Sequence, residues 1–217
     1  MMTSLFEIYD PYTFYLNLSL NWFVILFFLI FMFMNYWLLM NNYFFVFNKL
    51  MMMLFNEFKM FYSSMKIMKG CILMFLSLFF YLLFINLMGL IPYVFSITSH
   101  LVFSLSMSLT FWLTFMFFGW FNFTNKMFSH LIPLGTPMML IFLMVLIETI
   151  SNMIRPISLS VRLMSNMISG HLLMSLLGNC SSSVFLFQMF LYLFEFFVCF
   201  IQAYVFSSLL TLYFSEI

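Results

Sequence analysis

The chain has 217 residues, of which 66% are hydrophobic, 24% aromatic and only 6% charged. Seven basic and six acidic side chains cannot cover the surface of a soluble globule of this size, which leaves an integral membrane protein. A net charge of +1 excludes an electrostatic footprint for nucleic acid, and three cysteines at no framework or metal spacing exclude a disulfide scaffold.

The composition is also skewed within the apolar residues. There are 36 Phe and 24 Met but a single alanine, Ala203. Membrane helices are usually rich in Ala and Gly, so the skew points to a codon bias toward A and T and to an organelle genome. The N-terminus has neither an Arg-rich presequence nor a basic stretch with a cleavage site, so neither import nor secretion is expected.

The expected fold is an all-α membrane domain over 1–217, with about five crossings and one interfacial helix. Residues 1–17 form an outer-side N-terminus carrying Glu7 and Asp10. Residues 11–48 contain no Asp, Glu, Lys or Arg, and 18–40 within them are long enough for a first span. The segment 48–62 mixes Lys49, Glu57 and Lys59 with Met, Leu and Phe and reads as a helix on the membrane surface. The next charge-free stretch, 70–125, is too long for one crossing. Gly89, Pro92 and His100 divide it into spans at 71–90 and 101–121. Segments 138–177 and 184–213 follow, and Pro156 is a natural break point in the first. At ~1.5 Å per residue they would reach about 60 and 45 Å, against a hydrocarbon core of ~30 Å. They therefore read as two long, inclined helices, joined by the turn Gly178-Asn179-Cys180 and three serines, a hairpin suited to wrapping another object. Lys49, Lys59, Lys66, Lys69 and Lys126 fall in loops on one side, which the positive-inside rule makes the inner one. The N-terminus is then outside and the C-terminus inside.

Glu148, Arg155, Arg162 and Glu195 lie within this hairpin. A charge at the centre of a membrane helix costs about 2.5–3.5 kcal/mol on insertion scales, so each needs a reason: an ion pathway, or salt bridges that hold helices together. Glu148, Arg155 and Arg162 recur at i, i+7 and drift only ~20° per step, so on a continuous helix they share a face. Asn166 and Ser169 continue that stripe, whereas His171 lies about 180° around the helix from Arg162. On the last helix Glu195 and Gln202 are again seven apart. The pattern is two polar patches with a permanent cation between them. Glu and His can exchange protons once their surroundings tune them, and Arg cannot.

These residues sit in the run Ile147-Glu-Thr-Ile-Ser-Asn-Met-Ile-Arg-Pro-Ile-Ser-Leu-Ser-Val-Arg-Leu-Met-Ser-Asn-Met-Ile-Ser-Gly-His-Leu-Leu173. It closely resembles the signature of the subunit a (subunit 6) family of mitochondrial F-type ATP synthases. Gly89-Leu-Ile-Pro-Tyr93, His130-Leu-Ile-Pro-Leu-Gly-Thr-Pro137 and Gln202-Ala-Tyr-Val-Phe206 support it, and the opening around Asp10-Pro11 and Leu18-Ser-Leu-Asn-Trp22 looks like the insect or arthropod form. The resemblance covers essentially the whole chain. It implies a multi-pass protein of the mitochondrial inner membrane, N-terminus toward the intermembrane space and C-terminus toward the matrix. It implies a non-catalytic stator of a rotary proton motor, with two half-channels against the c-ring and with the peripheral stalk and other membrane-sector subunits as neighbours. In that pattern Arg162 matches the essential arginine, and Asn166 and Gln202 its polar neighbours. His171 and Glu195 match a pair of the intermembrane-space half-channel, and Glu148 a matrix-side carboxylate. Bacterial relatives exchange the acidic and His roles of that pair between these two positions, and here the mitochondrial arrangement stands. Arg155 is left between lining the matrix exit and anchoring its helix.

No phosphate loop, metal motif or nucleophile constellation is present, so no cofactor is expected and the chain cannot make ATP alone. The competing function is a proton-translocating subunit of a respiratory dehydrogenase, but those carry a central chain of Lys and Glu, and no Lys follows Lys126. A purely structural membrane subunit gives no reason for Arg162. His100 and His130, at span ends, read as interfacial residues, and the Met and Phe stripes as lipid-facing or packing surface. Cys71 and Cys199 read as buried small hydrophobes. His171 and Glu195 are too few ligands to claim a metal site.

Overall fold

A computed structural model describes residues 6–13, 18–26, 42–61, 69–132, 135–180 and 184–216. Among them every extended element is helical. Helix α1 spans Asn42–Phe61, α2 Lys69–Leu90, α3 Leu101–Asn122, α4 Thr124–His130, α5 Ile141–Gly178 and α6 Phe185–Glu216. The short turns Glu7–Tyr9, Leu20–Phe23, Ile97–Ser99 and Met138–Leu140 are 3-10 in form.

Among the described residues four helices are long and apolar enough to cross a membrane: Gly70–Leu90, Leu101–Asn122, Met138–Gly178 and Phe185–Ser215. The corresponding expected segments are 71–90, 101–121, 138–177 and 184–213. Most of the first expected span, 18–40, lies outside the described residues. Helix α1 begins six residues before the expected start at 48. It packs on α2 and α6: Phe58 is fully buried, and the Phe47 ring lies 5.1 Å from that of Phe80. Helix α4, which carries Lys126, was expected only as loop.

The core gathers around α2, which packs chiefly on α6, while α3 packs on α5 and α5 on α6. Phe75 and Leu82 of α2, Leu163 of α5 and Phe206 of α6 are completely enclosed. The rings of Phe75, Phe115 and Phe214 join α2, α3 and α6 in a triangle with centroids 5.1 to 6.1 Å apart. Lipid tails are as apolar as these side chains, so such close packing, rather than water expulsion, holds helices together within a bilayer. The aromatic geometry adds about 0.5–1.5 kcal/mol per pair.

Pro156 does not break its helix. Helix α5 runs unbroken for 38 residues, with Pro156 buried. A proline cannot donate to the carbonyl four residues back, here Asn152, but membrane helices tolerate that loss where neighbouring groups or water satisfy the freed oxygen. Helix α6 has 32 residues, so the two form the long hairpin expected. Elsewhere α2 stops before Pro92, and the chain turns through Tyr93 with φ of +69°.

Candidate functional site

Glu148, Arg155, Arg162, Asn166 and His171 all lie on α5. At ~1.5 Å per residue Glu148 stands about 21 Å from Arg162 along the axis, and His171 about 14 Å beyond it. The unbroken helix keeps the i, i+7 stripe intact across Pro156. Nη2 of Arg155 lies 3.7 Å from Oε1 of Glu148. It joins two positions of one helix. The Arg155 guanidinium also lies 4.8 Å from the centre of the Tyr213 ring on α6, so this side chain ties the carboxylate to the neighbouring helix.

Arg162 is exposed, and its guanidinium has no hydrogen-bonded or ionic partner among the described residues. Around it Ser158, Ser165 and Ser169 are also exposed. Each serine turns its hydroxyl back to its own helix, donating to the carbonyls of Arg155 (2.9 Å), Arg162 (3.2 Å) and Asn166 (3.0 Å). The result is a face of small, self-satisfied side chains with one long cation. A second helix can approach such a face closely.

One turn beyond Arg162 this stretch meets α6. Nδ2 of Asn166 donates to Oε1 of Gln202 at 2.8 Å, and Gln202 is 6% exposed. One face of α6 thus buries both Gln202 and Glu195, the spacing of seven serving as expected. The Glu195 carboxylate lies over Gly170. A Cβ on that glycine would sit 2.5 Å from Oε2, so only glycine leaves the carboxylate room there.

The next residue, His171, sits where three segments meet. The Tyr9 ring stands edge-on to the imidazole at 6.4 Å, and the Tyr9 hydroxyl donates to the Ile168 carbonyl at 3.2 Å. An imidazole N–H of His171 donates to the Gly89 carbonyl, while Nε2 is buried with no partner among the described residues. A Cβ on Gly89 would meet the flexible end of Met167, with Cε at 2.9 Å. Outside the spans, burial pushes the Tyr9 phenol above its ordinary pKa. Burial also pushes the His100 imidazole below its own, with the Tyr9 backbone carbonyl acting against that shift. His100 lies against Trp22 and Phe95, with ring centres 5.3 and 5.0 Å away.

Two separate cavities reach the helix pair. A cleft of about 1140 Å³ is walled by Glu7 and Asp10 of the N-terminal segment, by Pro92 and Tyr93 after α2, and by Gly170, His171 and Ser175 of α5. A smaller pocket of about 230 Å³ is lined by Glu148, Thr149, Asn152 and Arg155 of α5, Tyr213 of α6 and His130 of α4. Arg162 lines neither. No group of three metal-ligating side chains occurs among the described residues.

The sequence reading missed Tyr9 and the positional demands of Gly89 and Gly170. A glycine inside a helix costs about 1 kcal/mol against alanine, so Gly170 beside His171 was a signal available in the sequence. No local pattern could show that Tyr9 returns to α5, 159 residues away.

The family profile of the ATP synthase A chain matches residues 16–215. The chain is 48% identical to ATP synthase subunit a of Locusta migratoria over 225 residues, covering all of both chains. It is 46% identical to ATP synthase subunit a of Anopheles gambiae over 226 residues and 47% to that of Drosophila simulans over 225, again across both full lengths. An α-helical membrane chain with this charged hairpin and these full-length relatives belongs to the ATP synthase A chain family.

Proposed function

We propose that this chain is the proton-conducting stator of a rotary ATP synthase in the mitochondrial inner membrane, with two half-channels that meet the c-ring on either side of Arg162. The large cleft leading to His171 and Glu195 is the intermembrane-space half-channel. The pocket at Glu148 is the matrix half-channel. Protons enter by the first, neutralise a ring carboxylate, travel with the ring and leave by the second. Arg162 receives each deprotonated carboxylate and, being unable to lose its own proton, bars direct passage between the channels. Asn166 and Gln202 brace α5 against α6 one turn from the guanidinium. The N-terminus faces the intermembrane space and the C-terminus the matrix. The peripheral stalk and other membrane-sector subunits hold the chain against rotation.

One observation carries this reading: an exposed guanidinium without a partner among the described residues, on a helix face bearing three serines, with one cavity lined by Glu148 and a separate one lined by His171 to either side along the helix. A lone arginine in lipid is costly, and a carboxylate on a closely packed partner helix removes that cost. Moving one charge across the membrane yields ~2.3 kcal/mol per 100 mV, so several must pass for each ATP and rotation must accumulate them. Arg162→Ala should abolish proton-driven ATP synthesis in membranes where the complex still assembles. Full synthesis by a verified intact complex would overturn the assignment. Cysteine cross-linking from Asn166→Cys to the ring helix tests the contact independently.

A further inference from the structure

We propose that His130 is the proton-exchanging group at the aqueous mouth of the Glu148 pocket, passing protons between that carboxylate and the water on the basic-loop side. The inference rests on the reading of Glu148 as the matrix-side carboxylate.

The pocket of about 230 Å³ lies among α3, α4, α5 and α6. A water needs only ~10–15 Å³ of such space plus polar partners, so several fit. Polar partners are present in Thr149, Asn152 and the Glu148–Arg155 pair. The Asn152 carbonyl adds another, because Pro156 cannot donate to it. Glu148 is only partly exposed. Of the wall residues, Trp120, His130, Thr149 and Met153 are exposed. Among these four only His130 carries an ionisable side chain. It is the last residue of α4, where the carbonyl end of the helix favours a cation.

The charged and titratable groups around this imidazole are Glu148 and Arg155 from α5, Tyr213 from α6 and Lys126 on α4 itself. The α3 wall supplies aromatic rings and Met116. The transfer balances simply. The protonated Glu148 carboxyl gives its proton to pocket water. The water chain delivers a proton to the neutral nitrogen of His130. The imidazolium releases a proton from its other nitrogen to the bulk. Hydrolysis-driven pumping runs the same steps in reverse.

The test uses inner-membrane vesicles with the matrix side accessible and complex content matched, comparing the parent, His130→Gln, His130→Glu and Glu148→Gln. Proton flux through the membrane sector is followed against pH on that side, with and without added imidazole. His130→Gln should slow flux about tenfold near neutral pH, and imidazole should restore it to within about twofold where a non-buffering salt does not. His130→Glu should keep flux, with the profile moved to lower pH. Unchanged flux and profile in His130→Gln, while Glu148→Gln is slow, would overturn the relay and leave Glu148 in place. Slowing that neither imidazole nor His130→Glu relieves would make His130 structural and also overturn it. Normal flux in Glu148→Gln would reject the underlying reading of the pocket.

Discussion

Gly170→Ala tests the outer half of the path with a single methyl group. In the native packing an added Cβ lies 2.5 Å from Glu195 Oε2, 2.6 Å from Cδ and 2.9 Å from Oε1. Ordinary contact begins near 3.4 Å, so the carboxylate must retreat by about 0.9 Å. The obstructing atoms are the end of a flexible side chain, so the carboxylate swings aside before the helices part. Overpacking of this kind costs about 1–3 kcal/mol, partly offset by the roughly 1 kcal/mol that alanine gains over glycine within a helix. The complex should therefore assemble. Proton transfer depends more steeply on position: a displacement near 1 Å can cost about 100-fold in rate. The expected outcome is normal assembly with proton-driven ATP synthesis reduced at least tenfold. Gly178→Ala is the control on the same helix, since a Cβ there comes no nearer than 3.8 Å to Gln188 Nε2. It should leave synthesis unchanged. Equal synthesis by Gly170→Ala and the parent, at matched complex content, would refute the placement of Glu195 in the path.

Replacing Gln202 with Met should strand Asn166 without its 2.8 Å partner and destabilise the α5–α6 pair by about 1–3 kcal/mol. Changing both residues to apolar ones should cost less than the single changes together, which a double-mutant cycle on the thermal stability of the membrane sector would show. His100 carries a pH dependence whose sign follows from its lowered pKa. When the packing of Trp22 and Phe95 on this imidazole opens, it returns to its ordinary value of about 6.5 and binds protons more readily than when packed. The packed state is thus fully stable above about pH 6.5 and weakens as the pH falls below it. Hydrogen exchange of residues 94–104 should accelerate on acidifying that side, and His100→Phe should remove the effect.

Because a bilayer makes charge expensive and unsatisfied backbone more so, much of this architecture could be read from the chain alone. Gaps between charges set α2, α3, α5 and α6 to within a few residues, and the seven-residue spacing of Glu148, Arg155 and Arg162 predicts their common stripe. The Glu148–Arg155 pair and the Asn166–Gln202 bond match the faces that periodicity assigned. Local rules failed where the outcome depended on neighbours. Pro156 is a natural break point by local chemistry, yet the helix runs on through it with the proline buried. Lys126 marks a loop by charge, yet the loop coils into α4 and brings His130 to the Glu148 pocket.

What the sequence determined by itself is the membrane class, the long charged hairpin and the residue types able to carry protons, since these follow from transfer energies and helical period. Tertiary structure alone decided which of those groups share a cavity. Tyr9 and Gly89 reach His171, Gly170 makes space for Glu195, and Arg162 is left facing outward, because contacts between distant segments obey the volume and hydrogen-bond demands of several helices at once.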